Sequence, residues 1–209
     1  MRVLLVVTRL ELGGAQRVVL HTAAELDREQ FEVGLAWGPG DRLDPEAHAI
    51  ADLRRFPVPS LVRPVAPVSD LRALRDLRRA VRSFRPDVVH THSSKAGILG
   101  RFAARRERVP AVVHTVHGFG FTPLQPAPLR FLFRAVEKTL ARWTDHFITV
   151  SESDRRRGVE LGLFPAERAT VIRAGIDLAA FRAPAGGAAV RNALGLPPAA
   201  PIVTQVGNF

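Results

Sequence analysis

Residues 86–123 carry four histidines in two pairs, His90 and His92 in the run VVHTH, His114 and His117 in VVHTVHGFG, with one helix-length segment between them. Each pair closes a short β-branched run that reads as a strand. In an open parallel α/β sheet the carboxyl ends of the strands point into the ligand crevice, so His92 and His117 fall where chemistry is expected. His117, at a strand end beside Gly118 and Gly120, is the candidate for contacting a substrate. A metal site made of the four is disfavoured, because no carboxylate accompanies them and strand packing or sheet-end hydrogen bonds account for His90 and His114.

Two further segments could hold an anion. Gly13 and Gly14 lie between the first strand and the first helix, where absent side chains let backbone N–H groups and a helix N-terminus approach a phosphate. A plain tight turn uses the same residues. The third glycine of a dinucleotide fingerprint and the Gly-Lys-Ser/Thr of a P-loop are both missing, which disfavours NAD binding and NTP hydrolysis. Ser93, Ser94 and Lys95 open a helix and offer two hydroxyls and an ammonium; ordinary N-capping by Ser94 would need no ligand. Glu152 and Glu160 stand in an E-x7-E spacing, but on an Arg-rich helix where solvated glutamates are commonly so spaced.

The elements that position these residues follow from hydrophobic periodicity. Residues 2–8 form a continuous apolar run, the mark of a strand buried on both faces, and a helix follows over 15–27. Weaker strands at 31–37 and 55–58 flank the loop Gly38-Pro39-Gly40-Asp41. Ser69 is expected to cap a helix whose stripe is Leu71, Leu74, Leu77, Val81 and Phe84, until Pro86 stops it. Strands at 87–91, 111–115, 146–150 and 170–173 then alternate with helices at 94–107, 128–142 and from Ser151 to near 162. Strands separated by helices specify right-handed βαβ crossovers. The fold class is therefore α/β, a doubly wound parallel sheet.

From residue 183 the chain turns to Pro, Gly and Ala, a linker over 183–200, and PIVTQVGNF at 201–209 reads as a fresh strand. The expected organisation is a domain at 1–182, the linker, and the first strand of a second domain. Composition narrows the class less. Thirty basic against 20 acidic residues give a net charge of +10, with only Lys95 and Lys138 as lysines. Such a surface favours anionic partners, but an Arg- and Ala-heavy composition inherited from a GC-rich genome would produce it too. The absence of cysteine excludes disulfide scaffolds and thiolate chemistry. No apolar run approaches the roughly 20 residues that span a bilayer, and the start reads as a strand, so a cytoplasmic location is expected. Phe119, Phe121, Leu124, Leu129, Phe131, Leu132 and Phe133 crowd a segment with Arg130 and Arg134. That suits a membrane surface, and equally a core-facing helix with a loop plug.

Taken in order, LELGGAQRVV, PDVVHTHSSKAGILGR, VVHTVHGFGF, DHFITVSES and VIRAGIDLAAF resemble the N-terminal half of a GT-B glycosyltransferase of family 4, especially bacterial capsule and exopolysaccharide enzymes. The resemblance covers nearly the whole chain. It implies one of two Rossmann-like domains, this one holding the acceptor and its partner gripping the sugar nucleotide. Gly13 and Gly14 would approach the donor diphosphate, and His117 would face the transferred sugar as the catalytic residue. Glu11, Gln16, His92, Ser93, Ser94 and Lys95 would line the acceptor side.

The implied reaction is transfer of a hexosyl group, with retention, from a UDP- or GDP-sugar to a glycan or lipid-linked acceptor, with no metal or other cofactor. Two departures bear on it: Ala174 stands where an Asn usually precedes Gly-Ile-Asp, and the family's E-x7-E and basic diphosphate residues belong to the other half. The chain alone is thus expected to be inactive. A rival reading is a non-catalytic binding module for a phosphorylated sugar or lipid, working with a separate donor-domain subunit. Nucleic acid is disfavoured as a partner by the lack of aromatic interleaving or a helix-turn-helix. Contact with the membrane would be peripheral, at its inner face.

Overall fold

The computed structural model describes residues 1–121, 125–176, 178 and 186–205. The chain divides into two compact units, Met1–Gly175 and Ile176–Phe209. In the first unit the elements run β1 (Arg2–Arg9), α1 (Gly14–Glu25), β2 (Glu32–Gly38), α2 (Asp44–Ala49), β3 (Arg54–Pro57), α3 (Pro67–Phe84), β4 (Val88–His92) and α4 (Ser94–Arg106). They continue with β5 (Ala111–Val116), α5 (Ala127–Ala141), β6 (His146–Thr149), α6 (Glu152–Glu160) and β7 (Ala169–Val171).

The strands form one parallel sheet in the order β3-β2-β1-β4-β5-β6-β7. Alternate residues of β1 divide between two cores, as the two-residue period of a strand requires. Leu4 and Val6 pack with Ala73, Leu77 and Val81 of α3 and Ala103 and Ala104 of α4. Val3, Leu5 and Val7 pack with Val19 and Leu20 of α1 and Ala47 of α2 on the opposite face. Helices thus cover both faces, as the apolar continuity of residues 2–8 predicts. The chain winds one way from β1 and the other way from β4, so the crevice opens at the carboxyl ends of these two strands.

Boundaries depart from the sequence reading in informative ways. Helix α3 begins at Pro67, not at a Ser69 cap; Ala66 is the N-cap and its N–H donates to Asp70 Oδ2 at 3.1 Å. The stripe also shifts: Ala73, Leu77, Ala80, Val81 and Phe84 are buried, while Leu71 is 70% exposed. Helix α2 was not anticipated, since six residues are too few to display a helical period. Its Asp44 accepts from Trp37 Nε1 at 3.1 Å and from the Gly40 N–H. Ser151 caps α6 as expected, its Oγ accepting from the Asp154 N–H at 3.0 Å.

In the second unit Gly187–Ala193 is helical and residues 201–205 lie in no strand. Residues 206–209, the rest of the strand expected at 201–209, lie outside the described residues, as does the start of the linker at 183–185.

Helix α4 packs on the sheet through a face of small residues, Ala96, Gly97, Gly100, Ala103 and Ala104, with no room for larger ones at the two glycines. A Cβ at Gly97 would lie 2.6 Å from the His114 ring, and one at Gly100 would lie 2.7 Å from Thr91 Cγ2. The same helix carries Arg101, fully buried, whose Nε donates to the Gly97 carbonyl at 2.8 Å and whose guanidinium reaches Glu137 of α5 at 2.7 Å. Removing one member of such a pair strands the other charge, at a cost of about 3–5 kcal/mol. Glu137→Leu should therefore lose about that much stability in urea denaturation, and the double variant Arg101→Met/Glu137→Leu should recover most of it. A single variant within ~1 kcal/mol of the parent would show that the pair carries no such constraint.

Candidate functional site

The end of β1 is stitched to the loop after β4. Thr8 Oγ1 and Ser93 Oγ are 2.7 Å apart, the Thr8 N–H donates to Ser93 Oγ at 3.4 Å, and the Ala96 N–H donates to Thr8 Oγ1 at 3.1 Å. Ser93 is held at φ 63° and ψ 161°, a region that L residues rarely occupy and that persists where surroundings over-determine it. The ligand-free alternative, ordinary capping by Ser94, is not what this helix uses: the N-cap is Ser93, and its side chain makes no cap hydrogen bond.

Against this stitch lies a cavity of about 680 Å³. Its polar floor includes Glu11, Gln16, Ser93, Ser94 and Lys95, five residues that sequence reasoning placed together, and adds Thr8, Arg9, Arg63 and Asp70, which it missed. Its other wall is apolar: Ile98 and Leu99 of α4, Leu129, Leu132, Phe133 and Val136 of α5, and Val65. The floor is charge-balanced. Lys95 Nζ pairs with Asp70 and donates to the Pro64 carbonyl, Arg63 pairs with Glu11 at 3.2 Å, and Arg9 pairs with Asp41. Lys95 is therefore not the open ammonium that its position suggested. Arg63 and Asp70 come from the segment before α3 and its first turn, where no local motif marks them.

His117 borders a neighbouring cavity of only about 20 Å³, which shares Ser93, Ser94 and Gly120 with the large one and is also lined by Glu137. His92, which the resemblance places on the acceptor side, lies behind His117. It is 1% exposed, and its Nδ1 lies 3.1 Å from His117 Nε2. Two-residue spacing puts His90 on the same face, its ring centroid 4.1 Å from that of His92 and its Nε2 2.7 Å from Thr115 Oγ1. His114 faces the other side of β5 and meets Thr91 Oγ1 at 2.9 Å. Among the described residues no group of three or more His, Asp or Glu side chains could hold a metal ion. Gly13 and Gly14 border neither cavity. A Cβ on Gly14 would meet nothing within 4 Å, so packing does not demand that glycine, and the start of α1 carries no side-chain cap.

Burial discourages a charge on every histidine of the group. It lowers His90 from 6.5 to about 4, with a smaller push from His117, and it holds His92 and His114 well below 6.5, aided respectively by His90 and by Arg101. His117 is lowered by burial as well. The unfolded chain therefore binds more protons than the folded one as pH falls below 6.5, so stability is full above that pH and is lost toward pH 4. For His90 the shift corresponds to about 3 kcal/mol. Urea denaturation between about pH 7.5 and 4 should show His90→Gln losing that much less stability than the parent; equal losses would remove His90 as the cause.

Comparison with known proteins identifies the family and the fold. The family described as Glycosyltransferase Family 4 matches residues 12–180. The chain is 36% identical over 204 residues to the Escherichia coli UDP-Gal:alpha-D-GlcNAc-diphosphoundecaprenol alpha-1,3-galactosyltransferase, covering 95% of this chain and 51% of that protein. It is 30% identical to a Mycolicibacterium gilvum D-inositol 3-phosphate glycosyltransferase, covering 95% and 48%. The chain thus spans about half the length of these curated relatives. A solved glycosyltransferase structure from Rickettsia africae ESF-5 superposes with a TM-score of 0.66 at 17% identity, over 96% of this chain and 51% of that one. The sheet is the N-terminal half of a GT-B fold, and the chain belongs to glycosyltransferase family 4.

Proposed function

We propose that this chain forms the acceptor side of a retaining glycosyltransferase that moves a hexosyl group from a UDP- or GDP-sugar to a lipid-linked glycan acceptor. The observation that carries the reading is the cavity at the β1–β4 crevice, which joins a polar, charge-balanced floor to an apolar wall. A sugar hydroxylated on all sides matches the floor, and a prenyl chain matches Leu129, Leu132, Phe133 and Val136 of α5. The name of the E. coli relative, with its UDP-Gal donor and diphosphoundecaprenol acceptor, supports the same chemistry.

In this reading the donor diphosphate lies toward Gly13 and Gly14, where N–H groups at the start of α1 meet the charge that grows on the leaving group, without a metal ion. His117 faces the sugar being transferred, whose ring carbon gains positive character as that bond breaks. Sugar-nucleotide grip belongs to a second domain. The 209-residue chain by itself is then expected to bind acceptor without turning over donor.

Among the described residues no helix is long and apolar enough to cross a membrane. Exposed apolar side chains nevertheless stand beside lining residues in the chain: Val68 and Leu71 follow Val65 at one rim of the cavity, and the 75% exposed Phe131 lies between Leu129 and Leu132 at the other. With Arg63, Arg72 and Arg75 nearby in the chain, these rims suit peripheral contact with an anionic bilayer from the cytoplasmic side.

Leu132→Glu should weaken binding of a short-chain prenyl-diphosphate-linked saccharide at least tenfold by calorimetry while the fold survives; unchanged affinity would sink the assignment of the apolar wall. Co-sedimentation with anionic vesicles should fall several-fold in Phe131→Glu/Val68→Glu. Binding that ignores both the substitutions and the lipid charge would exclude the rims as a membrane contact.

A further inference from the structure

His92 has two ring nitrogens and, among the described residues, one hydrogen-bond partner. Nδ1 meets His117 Nε2 at 3.1 Å, whereas Nε2 is buried with no hydrogen-bond partner. The His90 ring lies beside it, tilted by 38° with the centroids 4.1 Å apart, and its Nε2 is engaged by Thr115 Oγ1 at 2.7 Å. A single proton therefore lies between His92 and His117, and its ownership decides the state of both rings.

Two neutral arrangements are open. In one, His117 Nε2–H donates to His92 Nδ1, which leaves His92 with an N–H on Nε2, an orphaned donor in the core. In the other, His92 Nδ1–H donates to His117 Nε2, and what stays unpaired at His92 is only an acceptor lone pair. Orphaned buried N–H groups are rarer in folded proteins than under-satisfied acceptors. A doubly protonated His92 would carry both the orphaned donor and an unpaired buried charge.

We infer that His92 is a positioning residue that fixes His117 as the Nδ1–H tautomer, so that His117 meets a ligand oxygen in the crevice as a hydrogen-bond donor and not as a base. Burial that keeps both rings neutral supports the assignment. Among the described residues His117 Nδ1 has no partner, and His117 borders the small cavity shared with Ser93 and Ser94. The ligand-facing half of the inference rests on the glycosyl-transfer reading given above. It adds that His117 would steady a sugar or phosphate oxygen instead of taking a proton from the acceptor.

Two-bond ¹H–¹⁵N correlation spectra of the labelled 209-residue chain at about pH 7.5 separate the two tautomers without any substrate. The expected result is His117 protonated on Nδ1 in the parent, changing in His92→Phe to a majority of Nε2–H, the form a free neutral imidazole side chain favours. His117 protonated on Nε2 in the parent would overturn the inference, and so would a His92→Phe spectrum that leaves the Nδ1–H form in place. Should His92→Phe not fold, His92→Leu serves for that arm, and the parent spectrum decides alone. Because no ligand enters the measurement, loss of the acceptor-binding result in Leu132→Glu experiments and failure of the tautomer assignment are separable.

Discussion

The parallel pairing of β1 with β4 is the constraint on which the rest of this structure depends. Four residue pairs make it, from Val3 opposite Val88 to Val6 opposite Thr91, and the chain departs from it in opposite directions on either side. That divergence leaves the carboxyl ends of two adjacent strands without a crossover loop above them, which is the physical origin of a crevice in sheets of this type. Thr8 and Ser93 close the gap by hydrogen bonds between segments 85 residues apart in sequence. The unusual backbone of Ser93 is tolerable because that stitch, and the helix behind it, hold it from both sides.

The second dependence is the closeness of α4 to the sheet. Glycine and alanine on its inner face let the helix axis approach β4 and β5, which places Ser93 and Ser94 over the strand ends and seals His114 and Arg101 from water. A guanidinium in such a place needs a carboxylate, and Glu137 supplies it from α5. One ion pair therefore ties α4 to α5, the two helices that supply most of the apolar wall of the large cavity. The same dry environment keeps the histidines neutral and makes a shared proton between His92 and His117 a matter of tautomer, not of charge.

Much of this was legible in the chain. The apolar run of β1, the helix–strand alternation and the stop at Pro86 each express a local rule, so the α/β class and nearly every element could be read from residue types alone. Boundaries failed where two local signals competed: Ser69 is a good cap, but Pro67 and Asp70 together begin α3 a turn sooner. Leu71 matched the helical period yet faces outward, because periodicity reports which residues share a stripe and not where the stripe ends. Helix α2 escaped because its six residues offer barely more than one turn of pattern.

The site divides along the same line. Residue types and order by themselves determined the fold class, through strand–helix alternation, while the motifs in their order carried the resemblance to family 4, and it was that resemblance that grouped Glu11, Gln16, Ser93, Ser94 and Lys95, five residues that line one cavity. Only tertiary structure decided that Lys95 is neutralised by Asp70, that Arg63 joins Glu11, and that His92 lies behind His117 instead of beside it. Those outcomes depend on which side chains from distant segments share a few ångströms of low-dielectric space, and local sequence carries no record of such neighbours.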